Sequence, residues 1–509
     1  MFQSHLFSRA ISEIIVRHRV QELHVSLTAG LWKYETWGYP TFDAAPGAET
    51  WAWFKDDTTD VDKNWRELTN SLSGLLCASL NTMDKTNSIN PEMTFKPQGV
   101  VSKSVNSTFL RYSSLPREIV CTENLTPWMK LLPCDSKMGL ASLLNAGHIH
   151  NTKYHSIGIH LRQICQNPSC DLTSLELRLT LGLVYDYLLL GSRNWSLRKL
   201  FGQGIFYPCP LAQSSTIYVD TTSNSSEIYH LEPTPDEYIK SVRGGYETTF
   251  AKYKITTKPM LIAAKYTKER NILVNIPPPL HANQYKIGYG QQKGGLVTKL
   301  YNNHWSSLDI VVLHNIPWYV PIYLHTLEIE SNGVRTKTNS LNYKPGRLRE
   351  KFHNLELELT VPARSVTSLK MNFDYVFLKW QEYPPDANHG FYIGSTVVSA
   401  LLPLARNYTG IPQDGSIYAD SFNASRNVYL VQVRTETIVI TLPTPDFSMP
   451  YNVICLACTV VALAFGPLHN ITTKRLILKV SNDDFFARVK KKVRGIFLKS
   501  NEEDSSTAK

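Results

Sequence analysis

Between Asp446 and Lys474 lie 27 residues without a formal charge, centred on the run Val453-Ile454-Cys455-Leu456-Ala457-Cys458-Thr459-Val460-Val461-Ala462-Leu463-Ala464-Phe465. As a helix they reach roughly 40 Å, against a hydrocarbon core of about 30 Å. The apolar heart, Val453 to Leu468, is slightly short of a full span. Phe447, Met449 and Tyr451 must extend it on one side and Ile471 on the other. Such a stretch is either a transmembrane helix or a buried core helix, and its surroundings decide. From residue 470 to 509, ten Lys/Arg stand against five Asp/Glu, a surplus that is half of the net charge of +10. Val431 to Pro450 hold only Arg434, Glu436 and Asp446 as charged residues. Positive flanks stay cytoplasmic. The expected order is therefore a lumenal or exterior part over 1–449, a membrane helix over 450–470 and a cytoplasmic basic tail over 471–509. The basic balance is read as topology, with no reason to infer nucleic-acid binding. Arg488 to Lys499, interleaved with Phe485, Phe486, Ile496 and Phe497, reads either as a segment lying on an anionic leaflet or as a solvated tail.

The remaining 450 or so residues are enough for two or three domains. Aromatics make up 11% of the chain and charged residues only 19%. Alternating runs recur at Leu355–Val361, Lys370–Phe377, Tyr429–Arg434 and Thr437–Ile440, with Pro, Gly and Asn between them. This period predicts sandwich-like sheets. Helix is expected in the first twenty residues, where Leu6, Ala10, Ile14 and Val16 interleave with polar positions. Leu175–Leu190 is a second helical candidate whose Thr and Val content leaves strand open. The fold class is thus mainly β: a large β-sandwich-type domain with some helix, one C-terminal transmembrane helix and a short basic tail.

Eight cysteines divide into six before the span and two, Cys455 and Cys458, inside it. An even set in an oxidising lumen suggests disulfides without fixing connectivity. Cys165 and Cys170 are close enough to pair across a turn, and Cys121 and Cys134 form another conceivable bridge. His148, His150, His155 and His160 cluster in sequence, but their spacing fits no single helical face, so neither a metal nor any other cofactor is expected. Glycosylation acceptors precede the span at Asn106, Asn124, Asn194, Asn224, Asn407 and Asn423. Asn470, at the far edge, is expected to stay unmodified, and Pro127 makes Asn124 a poor acceptor. Met1 to Arg9 offers no basic segment followed by an apolar one, so no signal peptide is expected there. Such a start fits a tail-anchored protein or a chain without its first lumenal segment.

The segment Leu442-Pro443-Thr444-Pro445-Asp446-Phe447-Ser448-Met449-Pro450-Tyr451-Asn452 resembles the juxtamembrane signature of the PIG-T family. Further matches follow in the family's order: Thr59–Lys63, Leu115–Glu118, Cys121–Trp128, Leu131–Cys134, Pro208–Leu211, Pro317–Tyr319 and Asn388–Tyr392. The resemblance covers essentially the whole chain and favours a start that lacks the family's signal peptide. It implies a non-catalytic scaffold subunit of glycosylphosphatidylinositol (GPI) transamidase in the endoplasmic-reticulum membrane. Its implied partners are a caspase-like catalytic subunit, other membrane subunits and the GPI lipid. The nucleophile would belong to the catalytic subunit, and no Gly-x-Ser-x-Gly or Gln-Ala-Cys-x-Gly string occurs here. At single residues the resemblance implies an interchain disulfide at Cys121 and GPI-lipid contacts at Asn388, Asp446, Ser448 and Asn452. An independent lumenal enzyme using Cys121 or the histidines, and a lectin-like cargo receptor, are the competing readings.

Overall fold

The computed structural model of the protein describes residues 7–100, 106–134, 138–165, 171–221, 229–243, 246–266, 277–288, 293–384, 389–402, 429–444, 448–475 and 485–503. The chain divides into two units, Met1–Pro443 and Thr444–Lys509. Strand dominates the first, and the second carries the long apolar helix.

The first unit begins with α1 (Arg9–Arg17), β1 (Val20–Ala29), α2 (Tyr34–Trp37), β2 (Gly47–Phe54), α3 (Val61–Leu76), β3 (Leu110–Leu115), α4 (Thr122–Met129), α5 (Ala146–His150), β4 (Tyr154–Cys165) and β5 (Thr173–Val184). The five strands form an antiparallel sheet in the order β3-β2-β1-β4-β5. Period-two alternation gives it two faces. Leu23, Val25 and Leu27 bury one face against Trp65, Leu68, Leu72 and Leu76 of α3. The other carries Glu22, His24, Ser26 and Thr28, all buried.

Of the two helical candidates, one resolves as strand and the other forms a helix. Leu175–Leu190 is not a helix: Thr173–Val184 pairs along its whole length with β4. The reason is in the residues, since Leu175, Leu177, Leu179, Leu181 and Leu183 alternate and all rest against the α3 core. α1 exists, but it buries Ile11 and Ile15, one turn apart, and leaves Val16 73% exposed. Leu6 lies outside the described residues.

A smaller region follows, with β6 (Trp195–Ser196), α6 (Leu197–Phe201), β7 (Thr216–Asp220), β8 (Tyr229–Glu232), β9 (Glu237–Arg243), β10 (Tyr246–Lys254) and β11 (Ala263–Tyr266). It builds two three-stranded sheets around Leu197, Ile205, Ala251, Tyr253 and Ile262. A Cys134–Cys209 disulfide closes a 75-residue separation between this region and the segment after α4.

The rest of the unit comprises β12 (Leu280–Ile287), β13 (Lys293–Asn302), β14 (Leu308–Ile316), β15 (Ile322–Ser331), β16 (Val334–Arg335), β17 (Ser340–Lys344), β18 (His353–Val361), β19 (Ser365–Asp374), β20 (Phe391–Ile393), β21 (Val397–Leu402), β22 (Tyr429–Arg434) and β23 (Ile438–Ile440). Two five-stranded sheets, β12-β13-β19-β15-β16 and β17-β18-β14-β21-β22, share one core. The alternating runs supply it: Leu355, Leu357, Leu359 and Val361 from β18, Leu369, Met371 and Phe373 from β19, and Val431 and Val433 from β22. The Lys370–Phe377 run stops pairing at Asp374, and Phe377 is exposed.

Polar groups join this sandwich to the first sheet. Glu356 is fully buried, and its carboxylate accepts the backbone N–H groups of Glu92, Met93 and Thr94 at 2.7–3.1 Å. Arg434 forms an ion pair with Glu49 at 3.1 Å, both side chains 3% exposed.

In the second unit, α7 (Ser448–Thr473) is followed by α8 (Phe485–Glu503). Tyr451–Thr473 is long and apolar enough to cross a membrane.

Candidate partner-docking site around Cys121

The site is built where α3 ends and α4 begins. Asp60 caps α3 by accepting the Lys63 N–H at 3.0 Å. The helix ends at Cys77, which adopts a left-handed φ of 51°, a conformation that costs a non-glycine residue about 1 kcal/mol. Cys121 is the N-cap of α4. Asn124 ties the two together. Its Oδ1 accepts the Cys121 N–H at 2.8 Å, and its Nδ2 donates to the carbonyls of Leu76 at 2.9 Å and Cys77 at 2.8 Å. Three of the four hydrogen bonds open to an Asn side chain are thus made, two of them to carbonyls at the end of α3. Trp128, one turn on, donates its indole N–H to Gly158 of β4 and holds α4 on the sheet.

The loop from β3 into α4 is pinned at both ends. Glu118 accepts the Ser79 N–H at 2.7 Å, and Val120 is buried. Between them Ile119 is 79% exposed, and Cys121, next after Val120, is partly buried with a free thiol. Glu118, Ile119 and Val120 also line a shallow cleft of about 470 Å³ with Gly30, Pro46 and Glu436. An apolar side chain and a thiol on an anchored loop suit capture of a partner surface.

Behind this loop, Pro116 and Arg117 share a second cleft, of about 370 Å³, with Tyr319, Tyr383, Phe391 and Tyr392. The last two follow Asn388 in sequence. Asn388 lies with residues 385–387 outside the described residues, but Tyr383 before it and Gly390 after it sit against the end of this unit. Gly390 sits at φ +76°, where a Cβ would meet the Ile440 carbonyl at 2.8 Å, and Tyr383 donates its hydroxyl to the Pro443 carbonyl. The structure therefore brings the Cys121 loop and the flanks of Asn388 to neighbouring clefts of one body.

The other expected residues fall as follows. Asp446 lies outside the described residues. Ser448 is the first residue of α7, and Asn452 is exposed one turn later. Cys165 is disulfide-bonded, while Cys170 lies outside the described residues. Cys134 pairs with Cys209, so the alternative Cys121–Cys134 bridge is corrected. Asn106 and Asn194 are exposed. Asn124 is 1% exposed and spends its amide on α3, so a glycan there is incompatible with this fold and that acceptor is corrected. Asn224, Asn407 and Asn423 lie outside the described residues.

The histidines do not converge. His150 stacks edge-on to His155, their centroids 4.8 Å apart, whereas His160 contacts His24 at 3.0 Å. Among the described residues, no three His, Cys, Asp or Glu side chains are placed to hold a metal ion. Sequence reading missed Ile119, whose exposure only the fold reveals, and read Asn124 as an acceptor. The spacing Cys121-x-x-Asn124, an N-cap with an amide at the third helical position, was the available signal for a capping pair.

The family described as "Gpi16 subunit, GPI transamidase component" matches residues 2–189 and 189–500. The chain belongs to the Gpi16 family. The GPI-anchor transamidase component PIGT of Mus musculus is 43% identical over 486 residues, covering 92% of this chain and 83% of the relative. The Homo sapiens component of the same description is 43% identical over 488 residues, with the same coverage. The GPI transamidase component PIG-T homolog of Schizosaccharomyces pombe is 30% identical over 491 residues, 93% of this chain and 83% of the relative. Within this Gpi16-family chain, the Cys121 loop places a free thiol two residues from the exposed Ile119 on an anchored backbone.

Proposed function

We propose that this chain is a non-catalytic scaffold subunit of GPI transamidase, holding the caspase-like catalytic subunit through the face at Cys121 and helping to seat the GPI lipid. One observation carries the reading. Cys121 is partly exposed, free and held on an anchored loop near Ile119, while Cys134 is already bonded to Cys209. A thiol so placed is suited to an interchain disulfide, which would hold two chains at high effective concentration. Lipid contacts are assigned to Asn388, Asp446, Ser448 and Asn452 on the strength of the resemblance. A carboxylate does not accept from phosphate favourably, so Asp446 would meet sugar hydroxyls or the ethanolamine ammonium.

The same reading places residues 1–449 in the lumen of the endoplasmic reticulum and the tail in the cytosol. Disulfides in the first unit suit an oxidising compartment, and the basic surplus after α7 suits the cytoplasmic side.

A non-reducing gel of the purified complex tests the proposal. Wild-type chain should migrate with the catalytic subunit in one band, and Cys121→Ser should separate them while both remain in the purified assembly. Separate migration of the wild-type chains removes the interchain assignment.

A further inference from the structure

The last helix, α8, has no role in the scaffold reading, yet its residues are sharply sorted. At about 100° per residue, Phe485, Val489, Val493 and Phe486 fall within one sector of about 100°. Lys490, Lys491, Lys492 and Arg494 fall outside it; Ile496 continues the sector, and Phe497 falls about 20° beyond its edge. Phe485 is 77% exposed, Phe486 83%, Val489 44% and Val493 46%. Two exposed phenylalanines at the start of a helix would be an aggregation liability in water. Burial in the headgroup boundary satisfies both arcs at once. The apolar sector enters the acyl region, and the lysine stems reach along it to place their ammonium groups among lipid phosphates.

The chain also identifies the surface. The residues between α7, which ends at Thr473, and α8, which begins at Phe485, hold Lys474, Arg475 and Lys479 against Asp483 and Asp484. That linker of 11 residues reaches at most about 36–40 Å, so α8 stays tethered within that distance of a membrane that α7 crosses. We infer that α8 is an interfacial helix that binds anionic lipid headgroups of the leaflet where α7 emerges. An acidic protein surface offers the same charge but no apolar layer for Phe485 and Phe486. The inference rests on α7 crossing the membrane and not on the identity of the transamidase partners.

The test is amide hydrogen exchange on the full chain in nanodiscs, of phosphatidylcholine alone and of phosphatidylcholine mixed with phosphatidylserine. Exchange over 485–494 should slow at least about ten-fold when phosphatidylserine is present, and high salt should reverse this. The triple variant Lys490→Glu/Lys491→Glu/Lys492→Glu and the double variant Phe485→Ser/Phe486→Ser should each lose the protection. Slow exchange within α7 in every sample shows that the span is intact. Equal exchange in both lipid mixtures overturns the inference. So does protection that appears only with other subunits bound, whatever the lipid, because it assigns α8 to a protein partner.

Discussion

Glu49 of β2 and Arg434 of β22 lie 385 residues apart and form a buried ion pair that joins the first sheet to the C-terminal sandwich. The Tyr112 hydroxyl donates to Glu49 at 3.2 Å, and Arg434 Nη1 donates to the Gln432 carbonyl at 3.1 Å. The carboxylates of Glu49 and Asp43 hold the guanidinium charged despite the cost of its burial. Removing one partner strands the other charge in the interior. Arg434→Met or Glu49→Gln should therefore cost about 3–5 kcal/mol, read by denaturant unfolding of the full chain in detergent. The double variant Glu49→Leu/Arg434→Met should recover part of that loss. A single-variant cost near that of an exposed pair, about 0–1 kcal/mol, would contradict the placement of the pair in the core.

Asn124 gives a second outcome. Replacing it with Ala leaves the Leu76 and Cys77 carbonyls and the Cys121 N–H without their partner, at a cost of about 2–3 kcal/mol. The loss should appear as a lower melting temperature and as reduced interchain crosslinking at an unchanged Cys121. Glycosidase treatment separates this from a lost glycan. Asn106→Gln and Asn194→Gln should each remove one glycosidase-sensitive mobility step, and Asn124→Gln should remove none.

For the lipid site, Asp446→Ala combined with Asn452→Ala should lower cell-surface GPI-anchored protein several-fold. Recovery of the complex by affinity purification should stay at the wild-type level. Both residues lie beyond Pro443, where the first unit ends, so the fold of that unit does not depend on them. Unchanged surface protein with both residues replaced would rule the headgroup assignment out.

Acid sensitivity follows from buried neutral histidines. Burial pushes His155 and His314 down to about 4 from their ordinary 6.5, with neighbouring His150 adding to the effect on His155. His160 shifts in the same direction, by burial first and then by His24. Above pH 6.5 both folded and unfolded chains carry these rings neutral. As pH falls below 6.5 the unfolded chain takes up protons that folded His155 and His314 refuse until about pH 4, so stability declines through that window. The melting temperature of the full chain should fall from pH 6.5 to 4, and less steeply for His314→Gln. An identical slope in that variant would mean that His314 is not held neutral.

Much of the fold could be read from period-two runs. Leu355 to Val361 and Tyr429 to Arg434 alternate so regularly that the buried set named itself. Leu175 to Leu190 was less legible, because leucine favours helix intrinsically and only pairing with β4 decided for strand. Asn124 was misread for a related reason. A sequon records which residues are adjacent, whereas its availability depends on α3, whose last residues lie 47 and 48 positions earlier.

The sequence by itself determined the apolar span, the basic surplus after it, the sandwich strands and the family, because each rests on short-range patterning or on strings in order. Tertiary structure alone decided which cysteines remain free. It also set Ile119 at the surface and brought the Cys121 loop close to the flanks of Asn388. Those outcomes depend on pairings such as Cys134 with Cys209 and Glu49 with Arg434, whose partners are separated by 75 and 385 residues. No local period encodes such distances; they are fixed when two sheets close over a shared interior and every buried polar group must find its partner.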